Sequence, residues 1–141
     1  MMSKDLILEI EKIANRYDIP IQKTKSGQFT EEFIKSFEDK GPKLIWEESF
    51  WECVSWHTTN LSEEFIRKYH HKMNWTNLSK FQKLPENLIE DFQNEVYWDW
   101  ISEFQELSKE FIKKYINKLN FDLLIENKKC NKALKHIKAF I

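Results

Sequence analysis

A 23-residue repeat constrains this chain more than any other feature. Residues 61–83 read LSEEFIRKYHHKMNWTNLSKFQK, residues 84–106 read LPENLIEDFQNEVYWDWISEFQE, and residues 107–129 read LSKEFIKKYINKLNFDLLIENKK. Trp75, Trp98 and Phe121 keep one step, and Phe65, Leu88 and Phe111 keep the same one. Self-similarity at a fixed period of this size marks supersecondary units that bury their apolar faces only by stacking on one another.

Each unit encodes its own helices. Ser62 supplies an N-cap, and Glu63 and Glu64 fill the first turn, where the helix dipole favours negative charge. Leu61 and Ile66 then occupy the two positions of a hydrophobic staple, a pair that returns as Leu84/Ile89 and Leu107/Ile112. Phe65, Ile66, Tyr69 and Met73 predict one buried stripe on a first helix, which Asn74 breaks and recaps. Trp75, Leu78 and Phe81 predict a shorter second helix. Helices below ~12–15 residues are marginal in water, so neither stands alone. Two glycines and three prolines in 141 residues argue further for helices on short links rather than sheets with tight turns.

The remainder of the chain fits around these units. Residues 1–28 predict a helix from Lys4 to Tyr17, with Leu6, Ile7, Ile10, Ile13, Ala14 and Tyr17 on one side. Pro20 ends it and a polar connection follows. Residues 29–60 form a first repeat: Phe29 and Ile34 are the staple, Thr30 is the cap, and Phe33, Ile34 and Phe37 are the stripe. This unit is about nine residues longer than its neighbours, and the excess falls in GPKLIWEESF, residues 41–50. Insertions in repeat proteins often lie on the binding face. Trp46 and Phe50 beside Glu47 and Glu48 are therefore the candidate protein-binding residues, because apolar residues held outside a regular stack either fold back over its end or await a partner. Residues 130–141 predict a closing helix with Ala133, Leu134, Ile137, Phe140 and Ile141 inward. The expected fold is a single all-α domain, a solenoid-like array of four helix-turn-helix repeats (29–60, 61–83, 84–106, 107–129) with capping helices at both ends.

Charge is unevenly spread. Residues 1–60 carry 8 Lys and Arg against 11 Asp and Glu, residues 61–106 carry 5 against 9, and residues 107–141 carry 9 against 3. Lys128, Lys129, Lys132, Lys135 and Lys138 make the basic end a candidate contact for RNA or a ribonucleoprotein. Along the array, Arg67/Glu90/Lys113, Lys68/Asp91/Lys114 and Lys80/Glu103/Glu126 hold equivalent outward positions. Their charge inverts in the middle repeat, which breaks a continuous phosphate track.

Catalytic constellations are sparse, and the expectation is no enzyme, no cofactor and no metal. Cys53 and His57 share a helix face at i, i+4, but no third ligand has a recognisable spacing, and His57 stands where Phe81 and Phe104 stand later. His70 and His71 are adjacent, so they point about 100° apart on a helix. His136 has nothing beside it. Ser55, Ser79 and Ser102 recur in every unit, as a local hydrogen-bonding or packing device would, and Gln82 and Gln105 read as bridges between hairpins. Two isolated cysteines suggest neither a disulfide framework nor a metal motif. With no signal peptide and no apolar run of about 18 residues, the expected location is cytoplasmic, away from membranes.

The pattern L-S-E-x-F-I…K-x-N-W-x-x-[LI]-S-x-F-Q, at 61–82 and again at 84–105, resembles a short helical repeat of bacteriophage, prophage and large-DNA-virus proteins. The resemblance covers about residues 29–129 and implies an all-helical array with no catalytic residues to transfer. Pro85 at a cap position and Leu124-Ile125-Glu126-Asn127 in the last unit depart from it. Small phage proteins of this kind include anti-CRISPRs and other counter-defence inhibitors. The resemblance thus implies a protein partner such as an RNA-guided CRISPR nuclease with its guide RNA; an RNA- or ribonucleoprotein-binding module is the alternative.

Overall fold

Helix positions in the repeated region follow the 23-residue step. The computed structural model describes residues 4–41, 48–58, 60–135 and 137. The readings placed on Trp46, Glu47, His136, Lys138, Phe140 and Ile141 fall outside these, as does the side chain of Glu48. The chain is all-α: α1 (Lys4–Arg16), α2 (Glu31–Lys40), α3 (Glu48–His57), α4 (Glu63–Lys68), α5 (Trp75–Phe81), α6 (Glu86–Asp91), α7 (Trp98–Phe104), α8 (Lys109–Lys114), α9 (Phe121–Glu126) and α10 (Asn131–Lys135). Helices α4, α6 and α8 start 23 residues apart, and so do α5, α7 and α9. Among the described residues the β pairing is limited to isolated bridges, Lys23 with Phe29 and Phe29 with Thr58.

Two compact units make up the chain, Met1–Asn74 and Trp75–Ile141. Their boundary falls between the two helices of the 61–83 repeat, so the sequence repeat and the unit of packing are out of phase.

In the first unit, Ile10 and Ala14 of α1 are buried, but Tyr17 is exposed rather than on the apolar side. The helix ends differently from the expectation. Asp18 takes a left-handed conformation, φ 56°, and the Ile19 amide closes back on the Ala14 carbonyl at 2.8 Å. An acid tolerates that conformation better than most residues, and the reversal lets Ile19 be buried. The polar connection is also ordered into a turn, with the Thr24 amide on the Gln28 carbonyl at 2.8 Å and Gly27 at φ 85°. Thr30 caps α2 by accepting the Phe33 amide at 3.2 Å. Rings then run through the core in a chain: Phe29 to Phe33 at 4.8 Å, Phe33 to Phe37 at 5.1 Å, Phe37 to Phe50 at 5.7 Å and Phe50 to Trp51 at 5.5 Å.

The first helices of the repeats are shorter than the apolar stripe suggests. Helix α4 stops at Lys68, and Tyr69 is its C-cap at φ −111°. Phe92 and Tyr115 cap α6 and α8 at nearly the same angles. Met73 is buried from a turn rather than from a helix. Ser62 and Ser108 accept the Phe65 and Phe111 amides, each at 3.1 Å, whereas Pro85 offers no side-chain cap. Every predicted staple residue is buried: Phe29, Ile34, Leu61, Ile66, Leu84, Ile89, Leu107 and Ile112.

In the second unit α5 packs on α7 and α7 on α9. The core there is mainly aliphatic, built from Leu78, Leu88, Ile89, Ile101, Ile112 and Leu124, with Trp75, Phe111 and Tyr115 buried beside them. A 3-10 turn, Lys128–Cys130, leads into α10, where Leu134 is buried and Ala133 half-buried.

Candidate functional site

The recurring polar residues form a hydrogen-bond ladder that fixes the short helices. Ser55, Ser79 and Ser102 each donate a hydroxyl proton to the carbonyl four residues back, Trp51, Trp75 and Trp98, at 2.7 Å. Each hydroxyl oxygen also accepts the amide at the start of the next short-helix segment: Asn74 at 3.0 Å, Tyr97 at 3.0 Å and Asn120 at 2.8 Å. One hydroxyl therefore satisfies an orphan amide that lies 18 or 19 residues onward. Gln105 adds a second rung. Its Nε2 donates to the Ser79 and Gln82 carbonyls at 2.8 and 2.7 Å, and its Oε1 accepts the Leu84 amide at 2.9 Å. Asn127 does the same for the Ser102 and Gln105 carbonyls at 2.9 and 2.8 Å. Glu31 and Glu86 grip the caps of the following units, accepting from the Ser62 amide at 2.6 Å and the Ser108 amide at 2.5 Å. These groups belong to the scaffold, as their recurrence suggested.

The chemically reactive side chains are likewise engaged in packing. Cys53 is buried, and burial pushes its thiol up to about 12, so no thiolate forms near neutral pH. Cys130 is buried too, its thiol also raised by burial, and it donates to the Gln105 carbonyl at 3.4 Å. His57 is half-buried and lies edge-on to Phe29, with centroids 5.0 Å apart. Burial lowers its pKa below the ordinary 6.5. His70 and His71 are exposed in a turn rather than on a helix. Among the described residues no three His, Cys, Asp or Glu side chains are placed to share a metal ion, and no helix is long and apolar enough to cross a membrane.

The predicted interaction residues fall in different units. Phe50 is in the core, packed on Phe37 and Trp51, because α3 begins at Glu48 and carries the last residues of the insertion into the helix. It is scaffold, not exposed interface. Lys128, Lys129, Lys132 and Lys135 are all exposed at the C-terminal end of the second unit.

A surface that the sequence reading passed over stands out instead. Along α7, Tyr97, Trp100 and Phe104 form a strip, with centroids 5.6 Å apart at each step. Phe81 of α5 joins it; Phe81 is 45% exposed and Tyr97 44%. Lys80 lies among these rings, its Nζ 4.9 Å from Trp100, 5.2 Å from Phe81 and 5.6 Å from Phe104. Cation–π contacts of this kind hold a lysine over the rings at modest energy. Lys129 borders the strip by donating to the Phe104 carbonyl at 3.1 Å. The signal was present in the repeat alignment. Trp100 stands where Asn77 and Leu123 stand in the flanking units, so its bulk is not required by the packing rule that all units share.

No protein-family model, curated protein or solved structure matches the chain.

Proposed function

We propose that this chain is a non-catalytic protein-binding repeat protein whose hairpins stack as a solenoid-like array. We further propose that it inhibits a bacterial defence effector, and that an RNA-guided nuclease with its guide RNA is the partner class. The observation that carries the protein-binding reading is the strip of Tyr97, Trp100, Phe104 and Phe81 around Lys80. Interface hot spots are enriched in Trp and Tyr, and truncating one typically costs ≥ 2 kcal/mol of binding, roughly thirtyfold or more. The setting in defence rests on the repeat resemblance alone.

The test is to express the chain in bacteria that carry an RNA-guided nuclease system and to measure phage interference. Protection should fall when the chain is present, and the nuclease should co-purify with it. Trp100→Ala should abolish both effects while leaving the melting temperature nearly unchanged. A panel of such systems in which interference never changes would sink the defence setting. The exposed lysines at 128, 129, 132 and 135 support the second reading, RNA or ribonucleoprotein binding. Its mark is labelled-RNA binding with a steep salt slope that Glu substitutions at those lysines reduce.

A further inference from the structure

The row α5, α7, α9 follows one rule until its last member. Ser79 and Ser102 meet the amide of the next segment, and Trp75 and Trp98 meet the next first-helix aromatics. Trp75 stacks on Phe92 at 4.9 Å, and Trp98 lies 5.5 Å from Tyr115 and 6.4 Å from Phe111. In α9 the residue in register with those serines is Ile125, 53% exposed, and the residue in register with the tryptophans is Phe121, 37% exposed. Both line an open cleft of ≈ 450 Å³ together with Leu134, Asn131 and Lys135. Lys135 lines the cleft, and Lys128, Lys129 and Lys132 are exposed in the 3-10 turn and α10 that lead to it, against Asp122 and Glu126 as the acids of α9.

We propose that this cleft between α9 and α10 docks an acidic amphipathic helix of a protein partner, apolar side chains on Phe121, Ile125 and Leu134 and carboxylates toward the lysines. The inference rests on the protein-binding reading and gives it a second surface. The same unit already pairs an acidic helix with a basic one. Glu86 of α6 holds the Ser108 cap, and Glu90 of α6 accepts from both Lys114 and Tyr115 at the end of α8. A docked acidic helix sets the same kind of charge pairing at the end of the other row, beyond α9. Charge disfavours a second copy as occupant, since a symmetric contact would set four lysines against four. Nucleic acid suits the lysines but fits the floor less well, because Phe121 is the one ring among the lining residues and Ile125 and Leu134 give successive bases nothing to stack on.

The probe must be a single helix, whereas residues 84–106, with seven Asp and Glu and no Lys or Arg, break into α6 and α7. A fluorescein-labelled designed peptide with Leu at helical spacing on one face and Glu on the other should bind the chain in an anisotropy titration. The same peptide with its acids changed to Lys should not. Ile125→Asp should weaken binding at least tenfold, and Lys132→Glu with Lys135→Glu should do so more strongly at low salt than at high salt. Ile125 is surface-exposed, so circular dichroism should show both variants folded. Failure of the acidic peptide to bind, or binding indifferent to Ile125→Asp, would overturn the inference. So would a dimer in sedimentation velocity that Ile125→Asp breaks, because a second copy would then own the face. Peptide binding lost in Trp100→Ala but kept in Ile125→Asp would refute this cleft and leave the protein-binding reading standing.

Discussion

The two units are held together by different physics although both contain copies of one sequence motif. The first, Met1–Asn74, is an aromatic core: Phe29, Phe33, Phe37, Phe50 and Trp51 are almost wholly buried and touch ring to ring. The second, Trp75–Ile141, has a mainly aliphatic core flanked by the buried rings Trp75, Phe111 and Tyr115 and crossed by four buried polar rungs at Ser79, Ser102, Gln105 and Asn127 where the first has the Ser55 rung, while Phe81, Tyr97, Trp100 and Phe104 lie at the surface or half-buried. The difference teaches where specificity comes from in each. Ring packing in the first unit rewards volume, and several arrangements of large side chains can supply it. The rungs of the second unit reward one register only, since a shifted pairing leaves buried carbonyls and amides unsatisfied. A unit whose register is locked by backbone rungs has aromatic residues to spare for its surface.

The largest effect should come from breaking the aromatic core. Phe33→Ala should cost about 3–5 kcal/mol, the usual range for truncating a buried aromatic. That loss is a large part of the stability of an ordinary domain. Amide exchange read separately for each unit is the right measurement. Protection should collapse in α2 and α3 and change less in α7. Equal collapse everywhere would show that the units unfold as one.

Breaking the rungs should come next. Gln105→Leu keeps the bulk but orphans the Ser79 and Gln82 carbonyls and the Leu84 amide. At about 1–3 kcal/mol for each group left buried and unsatisfied, three such groups should cost at least about 3 kcal/mol. Ser102→Ala removes a single rung and should cost about 1 kcal/mol, with faster exchange at the Asn120 amide. If Gln105→Leu proves neutral in chemical denaturation, the second unit is held by its aliphatic core and the contrast drawn here dissolves.

The repeat step made the helix positions legible, because a 23-residue period leaves little freedom for where α4, α6 and α8 or α5, α7 and α9 begin. The caps at Ser62 and Ser108 and the buried staples were legible for the same reason: local capping chemistry recurs with the motif. Helix lengths were not. The stripe through Tyr69 and Met73 fits helical spacing, but apolar periodicity does not register that Tyr69 leaves helical angles and lets a turn deliver Met73 to the core. Asn127 takes over the role of Gln105 one residue earlier than the period requires, so strict register hides it. Phe50 looked like part of a protruding insertion because the motif begins at Trp51, whereas the helix begins before it. The aromatic strip was missed because six tryptophans in 141 residues invite a core reading, and which ring faces out depends on neighbours that only the packing supplies.

The smallest effect is one of pH, and it should separate the units without removing an atom. In the first unit, burial lowers the pKa of His57 below the ordinary 6.5; Lys23 lowers it further, and a hydrogen bond to the Gly27 backbone and the charge of Glu11 pull the other way. Lys23 and Glu11 themselves pair at 3.0 Å. A histidine that resists protonation when folded binds its proton more readily when unfolded. The stability it contributes is therefore complete above pH 6.5 and is lost as the pH falls from 6.5 through the folded value. In the second unit, Glu90 is the shifted carboxylate, held below the ordinary 4.5 first by Lys114 and then by Tyr115. Its contribution is present above pH 4.5 and is lost only as the pH falls through its lower folded value. Taking the solution from pH 7 to pH 5.5 should thus loosen the first unit and spare the second, and only further acidification should reach the second. His57→Phe provides the control, since Phe81 and Phe104 occupy the same repeat position. It should flatten the slope of the first unit between pH 7 and 5.5 while leaving the slope of the second as it was. An unchanged slope in that variant would move the sensitivity to another group and strip His57 of its role.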